Sequence, residues 1–148
     1  MEIERKYLID HPPAGYDSHP SRAIEQAYLC TEPVVRVRKE DDSYYLTYKG
    51  KGLMAREEYN LPLTREAYLH LLSKADGNVL TKRRYLIPLE GTELTVELDV
   101  FSGKFQGLVL AEVEFPDQAS ADAFLPPVWF GREVTSTGEY QTSRPTRL

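Results

Sequence analysis

Of the 148 residues only one is cysteine, one is tryptophan and three are histidine. A single thiol, Cys30, excludes an intrachain disulfide and fits a reducing compartment. His11 and His19 share a loop, but their spacing fits no zinc signature. Long apolar runs are missing, and the first residues show no apolar core of a signal peptide. The expectation is therefore a cytoplasmic protein with no membrane span. Basic residues are the minority: 18 Lys and Arg against 23 Asp and Glu give a net charge of −5. With a pI near 5.3, the chain lacks the basic footprint of a general nucleic-acid binder. It shows no internal repeat, and its length suits one domain spanning residues 1–148.

What the chain has is alternation. Glu2, Glu4 and Lys6 alternate with Ile3 and Arg5. In a strand, every second side chain shares a face, so two carboxylates and an ammonium stand in a row. Such carboxylates suit a hard cation, which takes oxygen ligands. A solvated strand face is the competing reading of this motif alone. Seven further segments read as strands. Gln26, Tyr28 and Cys30 are expected on one face, with Ala27 and Leu29 opposite. Arg36 and Arg38 pair in a third strand, Thr47 and Lys49 in a fourth, and Arg56, Glu58 and Asn60 line up in a fifth. Lys82 pairs with Arg84, Glu97 with Asp99, and Glu112 with Glu114.

The charges are sorted by sign. The first, seventh and eighth strands carry mainly carboxylates, and the third, fourth and sixth carry mainly Arg and Lys. Solvated faces usually mix their signs. If the charged faces lined a closed barrel, an acidic wall would oppose a basic one, and eight strands leave room for one small ligand. Like charges at close range would strain that interior when it is unoccupied. A metal ion on one wall and a polyanion on the other would relieve both. The apolar alternates Ile3, Val35, Val37, Leu46, Tyr48, Leu98 and Val113 would then face outward, partly under helices. Outer faces left uncovered would favour a partner, such as a second copy in a homodimer. An ordinary sandwich with those residues in its core is the alternative.

Two helices are expected. One runs from Thr64 to Ala75, capped by Thr64 and ended by Gly77, with Tyr68, Leu69, Leu71, Leu72 and Ala75 as its apolar stripe. The other spans Gln118 to Phe124, with Trp129 and Phe130 packed near it. The stretch from His11 to Pro20 reads as a surface connection.

The chain resembles the CYTH domains, or triphosphate tunnel metalloenzymes. The resemblance is carried by Glu2-Ile3-Glu4-Arg5-Lys6, the ExExK signature of that family. It continues through Gln26-Ala27-Tyr28-Leu29, Val35-Arg36-Val37-Arg38, Leu46-Thr47-Tyr48-Lys49-Gly50 and Arg56-Glu57-Glu58-Tyr59-Asn60. Lys82-Arg83-Arg84-Tyr85, Glu97-Leu98-Asp99, Ala111-Glu112-Val113-Glu114 and Gly131-Arg132-Glu133-Val134-Thr135 follow in order. Asn60 departs from the pattern, because many members carry a second glutamate there, and the segment after Gly138 is a looser match.

The resemblance implies a closed, eight-stranded antiparallel barrel with a charged interior and helices outside. It also implies metal-dependent hydrolysis of a small-molecule triphosphate. Glu2, Glu4 and Glu114 are the expected ligands of Mg2+ or Mn2+, with Glu58, Glu97, Asp99 and Glu112 as candidates for a second ion or its water shell. Arg36, Arg38, Lys49, Lys82 and Arg84 are expected to grip phosphate oxygens, helped by Lys6 and Arg56. Tyr28 and Lys82 match a tyrosine–lysine pair proposed to activate water; purely static roles for both stand beside that reading. Inorganic triphosphate is the expected substrate. Class IV-type cyclisation of ATP, hydrolysis of thiamine or nucleoside triphosphates, and a non-catalytic polyphosphate- or nucleotide-binding module remain open.

Overall fold

Among the described residues, alternating charged and apolar side chains pair into nine strands, all antiparallel to their neighbours. The computed structural model describes residues 1–52, 54–75 and 77–135. The segment after Gly138 thus lies outside the described residues. The strands are β1 (Glu2–Leu8), β2 (Ser21–Thr31), β3 (Val34–Glu40), β4 (Ser43–Lys49), β5 (Ala55–Arg56), β6 (Glu58–Pro62), β7 (Leu80–Pro88), β8 (Thr95–Ser102) and β9 (Val109–Glu114). Their order is β5-β1-β9-β8-β7-β2-β3-β4-β6. Only Glu57 separates β5 from β6, so the chain joins the two ends of this sheet and nearly closes it into a barrel.

Eight strands were expected and nine are found, because the expected fifth strand breaks at Glu57. Its first half pairs with β1 through Glu2↔Arg56 and Ile3↔Ala55. Its second half pairs with β4 from Lys49↔Glu58 to Tyr45↔Pro62. One segment thus serves two neighbours and must bend between them. A second difference lies in β2. The ladder shifts register between Tyr28 and Cys30, so Cys30 pairs with outward Val35 instead of sharing the face of Gln26 and Tyr28. A bulge of this kind turns the rest of the strand over.

The outer face carries a core. Tyr7, Ile9, Ile87, Val96, Leu98, Ala111, Val113, Phe115 and Ala121 form one buried cluster. Helix α2 (Gln118–Ala123), capped by Asp117 accepting from the Ser120 amide, covers it. Trp129 and Phe130 pack there as expected: Phe130 lies 4.8 Å from the Tyr7 ring and 4.6 Å from Trp129. Arg5, outward on β1, ties this cover down by pairing with Glu133 at 2.6 Å and donating to the Ala121 carbonyl. Gly131 approaches β1 so closely that a Cβ would stand 2.5 Å from the Leu8 carbonyl oxygen. Another residue there would push the cover off the strand.

Helix α1 (Arg65–Leu72) covers β3 and β4 on the other side. Thr64 caps it by accepting from the Ala67 amide. The stripe is narrower than expected. Tyr68 is buried against Tyr44 and donates to Glu25, whereas Leu69 faces solvent. Among the described residues no helix is long and apolar enough to cross a membrane.

Candidate active site

Inward positions follow from strand parity. They are Glu2, Glu4 and Lys6 on β1, Arg36 and Arg38 on β3, Lys49 on β4, Lys82 and Arg84 on β7, Asp99 on β8, and Glu112 on β9. All ten are buried, while Glu114 lies exposed at the rim. Their apolar alternates Val37, Leu98 and Val113 are fully buried beneath the outer covers. A barrel with its ion pairs inside and its oil outside is therefore what the alternation encodes.

At one end of the inward rows the charges give way to Tyr28, Val34, Leu80, Phe101, Leu110 and Val134, which cluster with Leu8 into an apolar floor. Above it lies a polar cavity of about 180 Å³. Its carboxylate side comprises Glu2, Glu4, Glu58, Glu97, Glu112 and Glu114, with Lys6 among them, and its cationic side Lys49, Arg36, Arg38 and Arg84. Arg56, Lys82, Asp99 and Tyr28 are buried but sit behind this lining.

Sheet order makes the two walls contiguous. The carboxylate strands β1, β9 and β8 are neighbours, and so are β7, β2, β3 and β4. Where the arcs meet, opposite charges pair. At the β7–β8 seam, Arg84 grips Asp99 through Nε at 2.7 Å and Nη2 at 2.9 Å, and Lys82 Nζ reaches the same carboxylate at 2.7 Å. At the other seam, Lys49 lies 3.0 Å from Glu2 and 3.5 Å from Glu58. Asn60 accepts from Thr47 at 2.6 Å and donates to Glu58, fixing that carboxylate without adding a charge.

Away from the seams the charges are poorly answered. Lys6 lies 3.8 Å from both Glu4 and Glu112, too far for a hydrogen bond. Glu4 Oε1 and Arg36 Nε are buried with no hydrogen-bond partner. Arg38 donates to Gln26, a neutral acceptor. The electrostatic consequence is a split pair of carboxyls. Burial and the charge of Glu112 push Glu4 up to about 7. Glu112 is held well below its ordinary value: burial raises it, but Lys6, Arg84 and Lys82 outweigh that. Burial also raises Glu2 and Glu97. Lys82 is drawn down to about 7 by burial, against the pull of Asp99.

These observations bear on a cation. Among the described residues, no group of three or more His, Cys, Asp and Glu stands close enough to hold a metal by itself. Mg2+, however, usually takes one or two carboxylates and completes its shell with water and substrate phosphate oxygens. A buried carboxylate oxygen without a partner, on a glutamate whose charge is disfavoured at neutral pH, fits such an ion. The donor set is all oxygen, which suits Mg2+ and Mn2+ over zinc.

Sequence reasoning named the charged rows but missed Arg22, Glu40, Tyr45 and Gln26, the first three of which line the cavity mouth. Parity alone could have found them, since each lies two or four residues from an inward position on its own strand.

The comparisons agree with this geometry. The model of the CYTH domain matches residues 1–144. An inorganic triphosphatase of Nitrosomonas europaea is 37% identical over 143 residues, covering 95% of this chain and 93% of that protein. One from Acetivibrio thermocellus is 37% identical over 151 residues, covering 96% and 90%. The crystal structure of an inorganic triphosphatase superposes with a TM-score of 0.72 at 33% identity, covering 99% of this chain and 94% of that one. With its barrel, its inward ExExK row and these relatives, the chain belongs to the CYTH domain family.

Proposed function

We propose that this protein is a metal-dependent inorganic triphosphatase, splitting triphosphate into pyrophosphate and phosphate. The observation that carries the reading is the cavity itself, in which unanswered guanidinium and carboxylate groups share about 180 Å³. Both near-full-length relatives at 37% identity bear that activity in their names, which supports the same chemistry here. Phosphoryl transfer needs little covalent help and much electrostatic positioning, and this interior supplies little else.

In this reading Arg36, Arg38, Arg84 and Lys49 hold phosphate oxygens, and Arg36, whose Nε has no hydrogen-bond partner, can do so in bidentate fashion. Lys6 and Arg56 add charge from the acidic side. Glu2, Glu4 and Glu114 would hold Mg2+ or Mn2+, and Glu58, Glu97 and Glu112 would order water around it. Bound there, the ion would offset phosphate charge and orient the attacking water. In the hydrolysis, water adds to the terminal phosphorus, the bridging P–O bond breaks, pyrophosphate leaves, and the water's proton passes to the released phosphate or to solvent.

For Lys82 two facts pull apart. A pKa near 7 suits a base, yet its side chain is wholly enclosed behind the lining and paired with Asp99. We assign it to positioning: with Asp99 it fixes the fork of Arg84. By the same token Asp99, with both oxygens occupied by Arg84 and Lys82, serves that fork more readily than a metal. Tyr28, which accepts from Gln26 and interacts with the charges of Lys6 and Arg38, borders the phosphate site from the floor. Tyr59 and Leu61, both 57% exposed on the outer face of β6, are the apolar residues that a second copy would cover in a homodimer.

The test is a substrate panel with Mg2+ and Mn2+, following phosphate, pyrophosphate and cyclic AMP. Triphosphate should be cleaved, and excess EDTA should abolish turnover. Cyclic AMP made from ATP would replace this reading with a cyclase. Tight triphosphate binding without any turnover would replace it with a binding module.

A further inference from the structure

On β3 the inward row runs Val34, Arg36, Arg38, Glu40, from floor to mouth, and its sign reverses at the last step. Glu40 is held there by three partners. Its Oε2 accepts from Arg22 Nη1 at 2.8 Å, and its Oε1 accepts from the Tyr45 hydroxyl at 2.8 Å. Arg38 Nη1 lies 3.8 Å from Oε1. Burial pushes the Glu40 carboxyl up, but hydrogen bonds from Tyr45 and Arg22 and the charge of Arg38 hold it below the ordinary range. The group is thus a fixed anion on an otherwise cationic arc.

At the strand rise, Arg36 and Arg38 are about 7 Å apart and Glu40 stands about 7 Å further out. A linear polyphosphate laid along this row from the floor meets two guanidiniums and then a carboxylate. The next phosphate would contend with Glu40 for Arg22 and Tyr45 while repelled by it. We propose that Glu40 is a specificity-determining residue, a carboxylate at the mouth that admits triphosphate and disfavours tetraphosphate and longer chains. This rests on the anion-binding half of the triphosphatase reading, which lays the anion along β3.

The experiment compares the wild type, E40Q and R22A by calorimetric titration with inorganic triphosphate and tetraphosphate in EDTA at low salt. The same pair is then followed by kcat/KM with Mg2+. E40Q keeps the size and a hydrogen-bonding carbonyl but loses the charge, so the tetraphosphate-to-triphosphate affinity ratio should rise by about tenfold. R22A leaves Glu40 less compensated, so the ratio should fall. Both changes should shrink at high salt, where exposed charges are screened. An unchanged ratio in folded E40Q overturns the proposal. Should E40Q fail to fold, an unchanged ratio in R22A overturns it equally. Triphosphate turnover with an unchanged ratio defeats the gate and leaves the triphosphatase reading. Ratio changes in titration without any turnover defeat that reading and leave the gate.

Discussion

Replacing Glu4 by glutamine should weaken the site while strengthening the metal-free fold. Glu4 is 4% exposed, and its Oε1 has no hydrogen-bond partner. Burial first, and then Glu112, move its carboxyl from 4.5 to about 7. The folded protein therefore binds a proton between these two values that the unfolded chain releases. Stability must fall as pH rises through that window, and the fall is complete above about 7. A shift of that size corresponds to about 3 kcal/mol. E4Q carries no such proton and should escape the loss. The assay is chemical denaturation of both proteins in EDTA from pH 5 to 8. Lys82 acts in the opposite sense, since a lysine lowered to about 7 adds stability as pH rises above that point. The difference between wild type and E4Q cancels that contribution. E4Q should gain on the wild type by up to about 3 kcal/mol by pH 8, and Mg2+ should narrow the gap by binding the wild type. Turnover in E4Q should fall by at least about 100-fold, the upper range seen for groups that only support a ligand. A wild type no less stable than E4Q at pH 8 in EDTA would refute the argument from burial.

Two further substitutions address the β7–β8 seam. Lys82→Arg keeps the charge but cannot act as a base, because guanidinium stays protonated. If Lys82 positions Arg84, saturation kinetics with triphosphate should show turnover within about tenfold of wild type; a loss of about 10²–10⁴ with an unchanged KM would instead mark proton transfer. Asp99→Asn leaves Lys82 and Arg84 buried without their carboxylate and should cost about 3–5 kcal/mol in denaturation. That cost should ease already as pH rises towards 7, because without the pull of Asp99 Lys82 sheds its proton more readily, and a pH-independent cost would show that the charge is not its origin.

Strand faces were legible because a period of two survives any tertiary arrangement. Parity put Glu4, Arg36 and Glu112 on the inner side and Val37, Leu98 and Val113 on the outer before any partner was known. Register was not legible, since no local signal states which residue lies across from which. Hence the pairing of Arg84 with Asp99, and of Lys49 with Glu2, appeared only in the fold. The bulge between Tyr28 and Cys30 broke the parity rule in β2, and the bend at Glu57 divided one expected strand into two neighbours' partners. The floor was written in the same alternation, as Leu80 before Lys82 and Leu110 before Glu112. Apolar residues in a charged row read as noise until six strands place them at one level. Glu40 was hidden differently: its sign is wrong for its arc, and only its hydrogen bonds to Arg22 and Tyr45 explain why it is tolerated.

The ring geometry also explains why the interior requires a ligand of both signs. A nearly closed sheet with one acidic arc and one basic arc has two seams, and the ion pairs of 3.0 Å or less between the arcs lie there. Asp99 with Arg84 and Lys82 is one seam, and Lys49 with Glu2 and Glu58 is the other. Mid-arc residues on the basic side meet no carboxylate across the strands: Arg36 faces Tyr28 and Thr47, and Arg38 faces Gln26 and Tyr45. On the acidic arc a single ammonium, Lys6, stands between Glu4 and Glu112 at 3.8 Å from each, and Glu4 remains disfavoured as an anion. On the basic arc Arg38 has the neutral Gln26, and Arg36 Nε has no hydrogen-bond partner. A fixed carboxylate at the centre of the basic arc, unlike Glu40 at its mouth, would fill the site permanently, and adding lysines to the acidic arc would remove the place for a cation. The sequence instead leaves both arc centres charged and stabilises the fold from outside, through the cluster around Leu98 and Val113 and the covers held by Arg5 and Tyr68. Stability and function thus occupy opposite faces of the same strands. The interior can keep its excess charge only because the exterior does not depend on it.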